Sequence, residues 1–315
     1  MSSPSGSPPP RASVDARCRN WANELGQPPF IVRRRLVFER LLERLASDGE
    51  EEWVLRGGLS LVYLRGGRGR PTRDMDLWVR AGAGDPAETL LAAVTALRRA
   101  AELGCDDGFA LRVIAVERAQ MEKIGGVGAG VTITSEYLGS RFEEVHVDLS
   151  VADALVVAPV SLAVTPLIPG REVFRMSGIA PEQTFSEKCH AMTRTYGAGR
   201  GSTRPRDLVD LAAMALHGDV DRSVLCAALW AVFDERGTHE LPEKLALPAG
   251  FENAFREYGA GYGLAGMTAE EGLAIVQATL DDAVGADLPR RPGASVDVGS
   301  ATVAPTSVEP PSLVD

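Results

Sequence analysis

The sequence predicts a mixed α/β fold, in its segregated α+β form, with a mixed sheet and flanking helices first and a helical domain after it. Short β-rich runs occur between residues 53 and 151, an amphipathic helix precedes them, and helical periodicity dominates after residue 171. At 315 residues the chain is long enough for two domains. We place these domains at residues 15–170 and 171–287.

The first predicted helix runs from Ile31 to Leu45, where apolar residues fall mainly on one side and arginines and glutamates on the other. This pattern indicates a helix that packs against the sheet.

The two ends of the chain differ in character from the rest. Residues 1–14 and 288–315 are rich in Ser, Pro and Gly and poor in large apolar side chains, so both segments are predicted to be disordered.

A glycine pair follows the first short strand. Trp53–Leu55 is apolar, Gly57 and Gly58 break the strand into a turn, and Leu59–Leu64 restarts as a helix. Glycine lets the backbone approach a bulky anion with its N–H groups forward, and a helix N-terminus adds partial positive charge. This order predicts a phosphate cradle.

Two carboxylates follow the cradle. Asp74 and Asp76 are two residues apart in a stretch whose intervening positions, such as Met75 and Leu77, are apolar. On a strand, residues two apart point to the same face, so both carboxylates are expected to project together. Like charges held side by side indicate a bound cation, and hard carboxylate oxygens favour Mg²⁺, with Mn²⁺ as an alternative.

The elements after this strand are a helix and then several strands. Asp85, Pro86 and Glu88 form a helix start. The helix is predicted to end near Leu103, and it is followed by predicted strands at Phe109–Val116, Gly130–Tyr137, Phe142–Val151, Val164–Ile168 and Val173–Phe174.

A third acid lies on a strand with one polar face. In the strand Phe142–Val151, apolar residues alternate with His146, Asp148 and Ser150. Asp148 therefore points away from the core, as many surface acids do. His146 shares that face, and its interpretation as a surface histidine competes with a role as a partner of Asp148.

The second half contains two helices with charged residues near their apolar stripes. In the helix that starts at Pro181, Phe185, Cys189 and Met192 form one stripe and Lys188 lies beside it. In the helix from Pro205 to His217, Asp207 and Asp210 project from a common side. Further helices are predicted at 222–235, 250–258 and 268–284.

The segment between these two helices contains no acid from Lys188 to Arg206. It carries Arg194, Arg200, Arg204 and Arg206 in an otherwise acidic chain. Such a stretch suits a triphosphate or an RNA backbone. It can equally be a glycine-rich surface loop whose arginines are only solvated.

Composition excludes some classes of protein. The net charge of −10 argues against a broad basic nucleic-acid surface, although not against a local one. The four cysteines have no metal-ligand spacing. No apolar run approaches the roughly 20 residues that span a bilayer, so we expect a soluble, cytoplasmic protein.

Four motifs in order resemble the nucleotidyltransferase superfamily and, more narrowly, the nucleotidyltransferase toxins of the AbiEii and MenT type. The motifs are Arg56-Gly57-Gly58-x-Ser60-Leu61, Arg70-x-Thr72-x-Asp74-x-Asp76, Thr184-Phe-Ser-Glu-Lys188 and Arg204-Pro-Arg-Asp207-Leu-Val-Asp210. The resemblance implies a nucleotidyltransferase-like sheet domain and transfer of a nucleoside monophosphate from a nucleoside triphosphate. It also implies an acceptor, most plausibly the 3′ end of tRNA, a block of bacterial growth, and an antitoxin encoded alongside.

The resemblance also implies a role for each site residue. Asp74, Asp76 and Asp148 would hold the metal. The nucleotide would be bound by Gly57, Gly58, Ser60, Thr72 and Lys188. Asp207 would orient Lys188 or the acceptor, Asp210 is a secondary candidate, and the RNA would meet Arg194, Arg200, Arg204 and Arg206.

The sequence departs from the family pattern at the cradle. The family commonly has Gly-Gly-Thr-Ala-Leu where this chain has Gly57-Gly58-Leu59-Ser60-Leu61. Whether Ser60 or Thr72 contacts phosphate is therefore open.

Two other functions compete with a toxin: an antibiotic-modifying nucleotidyltransferase and a non-catalytic regulatory protein of the same fold. The three intact acids argue against the second.

Overall fold

The computed structural model describes residues 7–49, 52–81, 84–121, 126–152, 155–168, 171–194 and 204–285. Within these ranges the protein has a mixed α/β fold, as predicted, with nine α-helices and one seven-stranded sheet. The helices are α1 Arg11–Leu25, α2 Pro29–Asp48, α3 Gly57–Leu64, α4 Pro86–Ala101, α5 Pro181–Thr193, α6 Pro205–His217, α7 Arg222–Arg236, α8 Phe251–Gly259 and α9 Ala269–Gly285.

The sheet places the two acid-bearing strands side by side. Its strands are β1 Val54–Arg56, β2 Asp74–Arg80, β3 Phe109–Met121, β4 Gly126–Tyr137, β5 Ser140–Ala152, β6 Val160–Val164 and β7 Phe174–Gly178. The order across the sheet is β3-β4-β5-β2-β1-β7-β6. The β2–β5 and β1–β7 pairs are parallel and the others are antiparallel. The acids therefore lie near the middle of the sheet.

The fold contains two main hydrophobic clusters. One joins the sheet to α1, α2 and α4, and the other is built from α5, α6, α7, α8 and α9 with Leu61 of α3. The helix α2 packs with Leu36, Phe38 and Leu42 fully buried, in agreement with its predicted apolar side. Since Leu61 belongs to the second cluster, α3 links the sheet to the helical region.

Three boundaries differ from the sequence-based expectations. The segment predicted to be disordered at residues 1–14 is helical from Arg11, where α1 begins, and Val14 is buried; its residues 1–6 lie outside the described residues. The sheet continues beyond the predicted domain boundary at residue 170, since β7 pairs with β1. The strand predicted at Val164–Ile168 lies earlier, as β6 ends at Val164. The tail predicted at residues 288–315 lies outside the described residues.

Candidate active site

The glycine pair lies at the junction of β1 and α3. Gly57 is the first residue of α3 and has a positive φ of 67°. A Cβ atom at Gly57 would lie 1.8 Å from Oδ2 of Asp76, and one at Gly58 would lie 2.9 Å from Oγ1 of Thr72. Only glycine therefore lets this helix start approach both the acid-bearing strand and the Thr72 hydroxyl.

The acids face each other across neighbouring strands. In the parallel β2–β5 pair, Asp76 is opposite Asp148 and Asp74 is opposite His146. The Nε2 atom of His146 lies 3.2 Å from Oδ1 of Asp148, so the histidine is a partner of that acid although both side chains are exposed. Burial and then the charge of Asp148 raise the pKa of Asp76, against the opposing effects of Arg56 and Lys188.

The opposed carboxylates can be compared with the ligands that the expected Mg²⁺ ion needs. In the part of the chain that the structure describes, no three His, Cys, Asp or Glu side chains form a ready-made ligand group. Magnesium commonly uses one or two carboxylates and completes its shell with substrate phosphates and water. Asp76, whose pKa is raised by burial and then by the charge of Asp148, and Asp148 itself are hard oxygen donors beside the glycine cradle. They fit an ion that is completed by phosphate.

A buried ion-pair cluster holds Lys188. Its Nζ atom lies 3.0 Å from Oδ1 of Asp207 and 2.7 Å from Oδ2 of Asp210. Asp210 is fully buried and also accepts two 2.8 Å hydrogen bonds from Nε and Nη2 of Arg70 and one of 3.0 Å from the hydroxyl of Tyr262. We call Arg70, Lys188, Asp207, Asp210 and Tyr262 the lysine cluster.

The charges in the lysine cluster stabilise each other. Burial alone would raise the pKa of Asp210, but Lys188 and Arg70 more than offset this effect and hold that pKa well below its ordinary value. Burial would lower the pKa of Lys188, but Asp210 and Asp207 raise it overall. The lysine therefore stays protonated. Oδ2 of Asp207 is buried, accepts no hydrogen bond among the described residues and lies 3.8 Å from Nε of Arg204.

The two candidate hydroxyls lie in different environments. Ser60 is 3% exposed, and its Oγ donates a 2.8 Å hydrogen bond to the carbonyl of Gly57. Thr72 is half-buried and lines the cleft between the cradle and the lysine cluster. The expectation that Ser60 meets phosphate is therefore not supported, because its hydroxyl is committed to the backbone inside the protein. Thr72 is the better placed of the two.

One cleft of about 1140 Å³ brings most of the predicted residues together. Its lining contains Gly57, Gly58, Thr72, Asp74, Asp76, Asp148, Lys188, Arg204, Arg206 and Asp207. Asp210 lies behind Lys188 as a buried counter-ion and is not part of the lining, and neither is Arg194. Arg200 lies outside the described residues.

The cleft also contains charged residues to which the sequence analysis gave no role. Nη2 of Arg56 donates a 2.6 Å hydrogen bond to Oε2 of Glu187, and Nη2 of Arg236 lies 3.6 Å from the same oxygen. Burial would raise the pKa of Glu187, but the two arginines lower it overall. Arg56 precedes the glycine pair and Glu187 precedes Lys188, so both were visible as motif neighbours. Arg236, at the end of α7, had no sequence signal.

A sheet that carries opposed acids beside a glycine cradle, with a buried lysine across the same cleft, is an arrangement that suits nucleotidyl transfer. A model of the family described as "Nucleotidyl transferase AbiEii toxin, Type IV TA system" matches residues 40–274. The chain belongs to this family. A search of curated proteins found no significant match.

Family membership carries further consequences. The protein is an enzyme that transfers a nucleotidyl group, so it uses a nucleotide substrate, and toxins of Type IV systems have an antitoxin partner. Over the described ranges, no helix combines the length and the apolar character needed to cross a membrane.

Gly57→Ala should reduce nucleotidyl transfer at least about tenfold. This loss should be larger than the loss of folded protein can explain. The left-handed conformation alone costs about 1–2 kcal/mol for a non-glycine residue, and the new Cβ must also displace Asp76. Gly66→Ala is the matched control, because Gly66 has a positive φ of 59° but no atom within 4 Å of an added Cβ. Transfer rates and thermal unfolding of both variants test this expectation. Equal loss of transfer in both variants would contradict it.

Proposed function

We propose that this enzyme transfers a nucleoside monophosphate from a nucleoside triphosphate to the 3′ end of an RNA, with tRNA as the acceptor, and that the modification stops bacterial growth. The observation that carries the proposal is that the acids, the glycine cradle and Lys188 line a single cleft. Groups that offset the negative charge of a bound triphosphate would therefore lie on both sides of this cleft.

The side chains and backbone of the cleft have separate tasks in this proposal. The N–H groups at Gly57 and Gly58 hold the phosphates, because they are donors at a helix N-terminus, and the hydroxyl of Thr72 beside Gly58 is a further donor. Lys188 supplies a compact positive charge. Asp76 and Asp148, with Asp74 on the same strand as Asp76, would hold Mg²⁺, or Mn²⁺ in its place. The bound ion would neutralise charge on the phosphoryl oxygens and lower the pKa of an attacking hydroxyl.

The bond changes follow from this arrangement. The acceptor hydroxyl oxygen forms a bond to the α-phosphorus as the bond from that phosphorus to the β-phosphate oxygen breaks, and pyrophosphate leaves. Arg56 and Arg236 line the same cleft and together carry one more charge than Glu187 neutralises. They are therefore suited to the negative charge of the departing pyrophosphate.

An RNA acceptor is favoured by the charges at the cleft. Arg204 lines it immediately before α6, and its side chain is largely exposed. An arginine that is both exposed and at a reactive cleft can meet a phosphate backbone without disturbing the core. This local positive charge occurs in a chain whose net charge is −10, which argues for a limited contact at an RNA end.

Lys188→Ala should abolish transfer of label from a nucleoside triphosphate to tRNA and should relieve growth arrest when the protein is expressed in bacteria. The reason is the loss of an amine that lines the cleft and is held there by two acids. Purified protein would be incubated with Mg²⁺, each of the four labelled triphosphates and purified tRNA, over a series of salt concentrations. Transfer by the wild type should fall steeply with salt, as expected for a contact with RNA phosphates.

Lys244→Ala is the control for charge removal, because Lys244 is exposed in the loop before α8. It should behave like the wild type in both assays. Label on an aminoglycoside and none on RNA would favour an antibiotic-modifying enzyme. Absence of label on any acceptor from folded wild-type protein would favour the non-catalytic alternative.

A further inference from the structure

The helix α8 lies outside the motifs that indicated the site, yet one of its faces lines the cleft. Asn253, Ala254, Glu257 and Tyr258 are in the lining, at a spacing that places them on one side of a helix. The opposite side, with Phe251 and Phe255, is buried in the core of the helical region. The cleft-facing side of α8 is thereby held in place by the packing behind it.

Tyr258 and Arg206 contact each other at this end of the cleft, with the guanidinium over the ring, and we call this pair the stacking surface. The guanidinium carbon of Arg206 lies 4.8 Å from the centre of the Tyr258 ring, and its Nη2 atom lies 3.1 Å from the Tyr258 hydroxyl. Both residues are half-buried. The charge of Arg206 is therefore already engaged by the ring and the hydroxyl, which makes this arginine less suited to a phosphate than sequence reasoning suggested.

The groups beside this surface suit a nucleobase and not a phosphate. An aromatic ring with an arginine next to it offers a surface on which a base can stack. Asn253 carries both a donor and an acceptor, and the carboxylate of Glu257 only accepts. A phosphate would be repelled by Glu257, whereas the amino group of adenine, cytosine or guanine would donate to it.

We propose that Tyr258 and Arg206 stack against the base of the incoming nucleoside triphosphate and that Asn253 and Glu257 contact its edge. Arg206 is adjacent in sequence to Asp207, which contacts Lys188, so the stacking surface lies next to the cation that faces the triphosphate. The proposal rests on the proposed function for the identity of the ligand. It adds the residues that recognise the base.

The test measures binding by calorimetry with Mg²⁺ and without an acceptor, so that it does not depend on transfer. The probes are the four nucleoside triphosphates and inorganic tripolyphosphate, which has the phosphates but no base. Tyr258→Ala should weaken the binding of the best triphosphate by about 5- to 150-fold, the loss expected from one stacked base. Its affinity for tripolyphosphate should not change. Tyr258→Phe should retain most of the affinity because it keeps the ring.

Glu252→Ala is the control on the same helix, since Glu252 is exposed and is not part of the cleft lining. It should bind all probes like the wild type. Equal weakening of triphosphate and tripolyphosphate by Tyr258→Ala would overturn the base assignment, as would equal affinity of the wild type for both. Unchanged triphosphate binding with a raised KM for tRNA would assign the surface to the acceptor and overturn the proposal. Base-dependent binding without any transfer would support this inference and refute the proposed function.

Discussion

Asp76→Asn should reduce nucleotidyl transfer at least about 100-fold, the lower end of what is lost when one electrostatic stabiliser of a transition state is removed, while the protein remains folded. Asp76 is opposite Asp148 and next to the Gly57 turn. The asparagine amide of the variant is neutral, so it cannot supply the negative charge that a metal–phosphate complex needs. The pKa of Asp76 is raised by burial and by Asp148, so the folded state disfavours its ionised form. The neutral variant should therefore be at least as stable as the wild type in metal-free buffer at neutral pH.

Two measurements check this expectation together. Transfer to tRNA reports the loss of function, and thermal unfolding with and without Mg²⁺ reports the fold. Glu144→Gln is the matched control, because Glu144 is an exposed carboxylate on β5, the strand that carries Asp148. It should leave transfer unchanged. Near wild-type transfer by folded Asp76→Asn would remove Asp76 from the metal site.

Asp210→Asn should lower the free energy of unfolding by about 3–5 kcal/mol, the usual cost of breaking a buried ion pair from one side. The substitution leaves Lys188 and Arg70 buried without their shared negative charge. The depressed pKa of Asp210 has a related consequence. Its stabilising contribution is complete above the ordinary pKa of 3.8 and is lost as pH falls through and below that value.

Urea unfolding of the wild type and of Asp210→Asn at pH 7 and at pH 3 tests both the cost of the substitution and its dependence on pH. Asp234→Asn is the control, because Asp234 is exposed on α7, and it should unfold like the wild type. If Asp210→Asn fails to fold, Tyr262→Phe provides a milder test. It removes one hydrogen bond to Asp210 and should cost about 1.5–3 kcal/mol. Wild-type stability of Tyr262→Phe together with a folded, stable Asp210→Asn would contradict the role of the lysine cluster.

The parts of the site that follow from local periodicity could be predicted from the sequence. The alternation of a strand placed Asp74 and Asp76 on one face, and the turn of a helix placed Asp207 and Asp210 on one side, where both contact Lys188. The resemblance of the motifs to those of the nucleotidyltransferase toxins then implied that these groups share one site. The mixed α/β fold, which was predicted from the same periodicities, was confirmed.

Features that depend on long-range packing could not be predicted. Arg70 contacts Asp210 across 140 residues of sequence, and no periodicity relates these positions. The same applies to Tyr258, which reaches the cleft only because α8 packs beside α6. The choice between Ser60 and Thr72 depended on the hydrogen bond from Ser60 to the Gly57 carbonyl and on which hydroxyl lines the cleft. Helix α1 was missed because only Val14, Cys18 and Ala22 are buried along its length.

The lysine cluster joins segments that are distant along the chain, from Arg70 to Tyr262. Because a protein is synthesised from its N-terminus and its domains fold as units, a nascent chain that has exposed only the sheet already carries the acids and the glycine cradle. It lacks Lys188 itself and the carboxylates of Asp207 and Asp210 that pair with it. The enzyme should therefore acquire its activity only after Tyr262 has left the ribosome, and chains that terminate before that residue should be harmless to the cell that makes them.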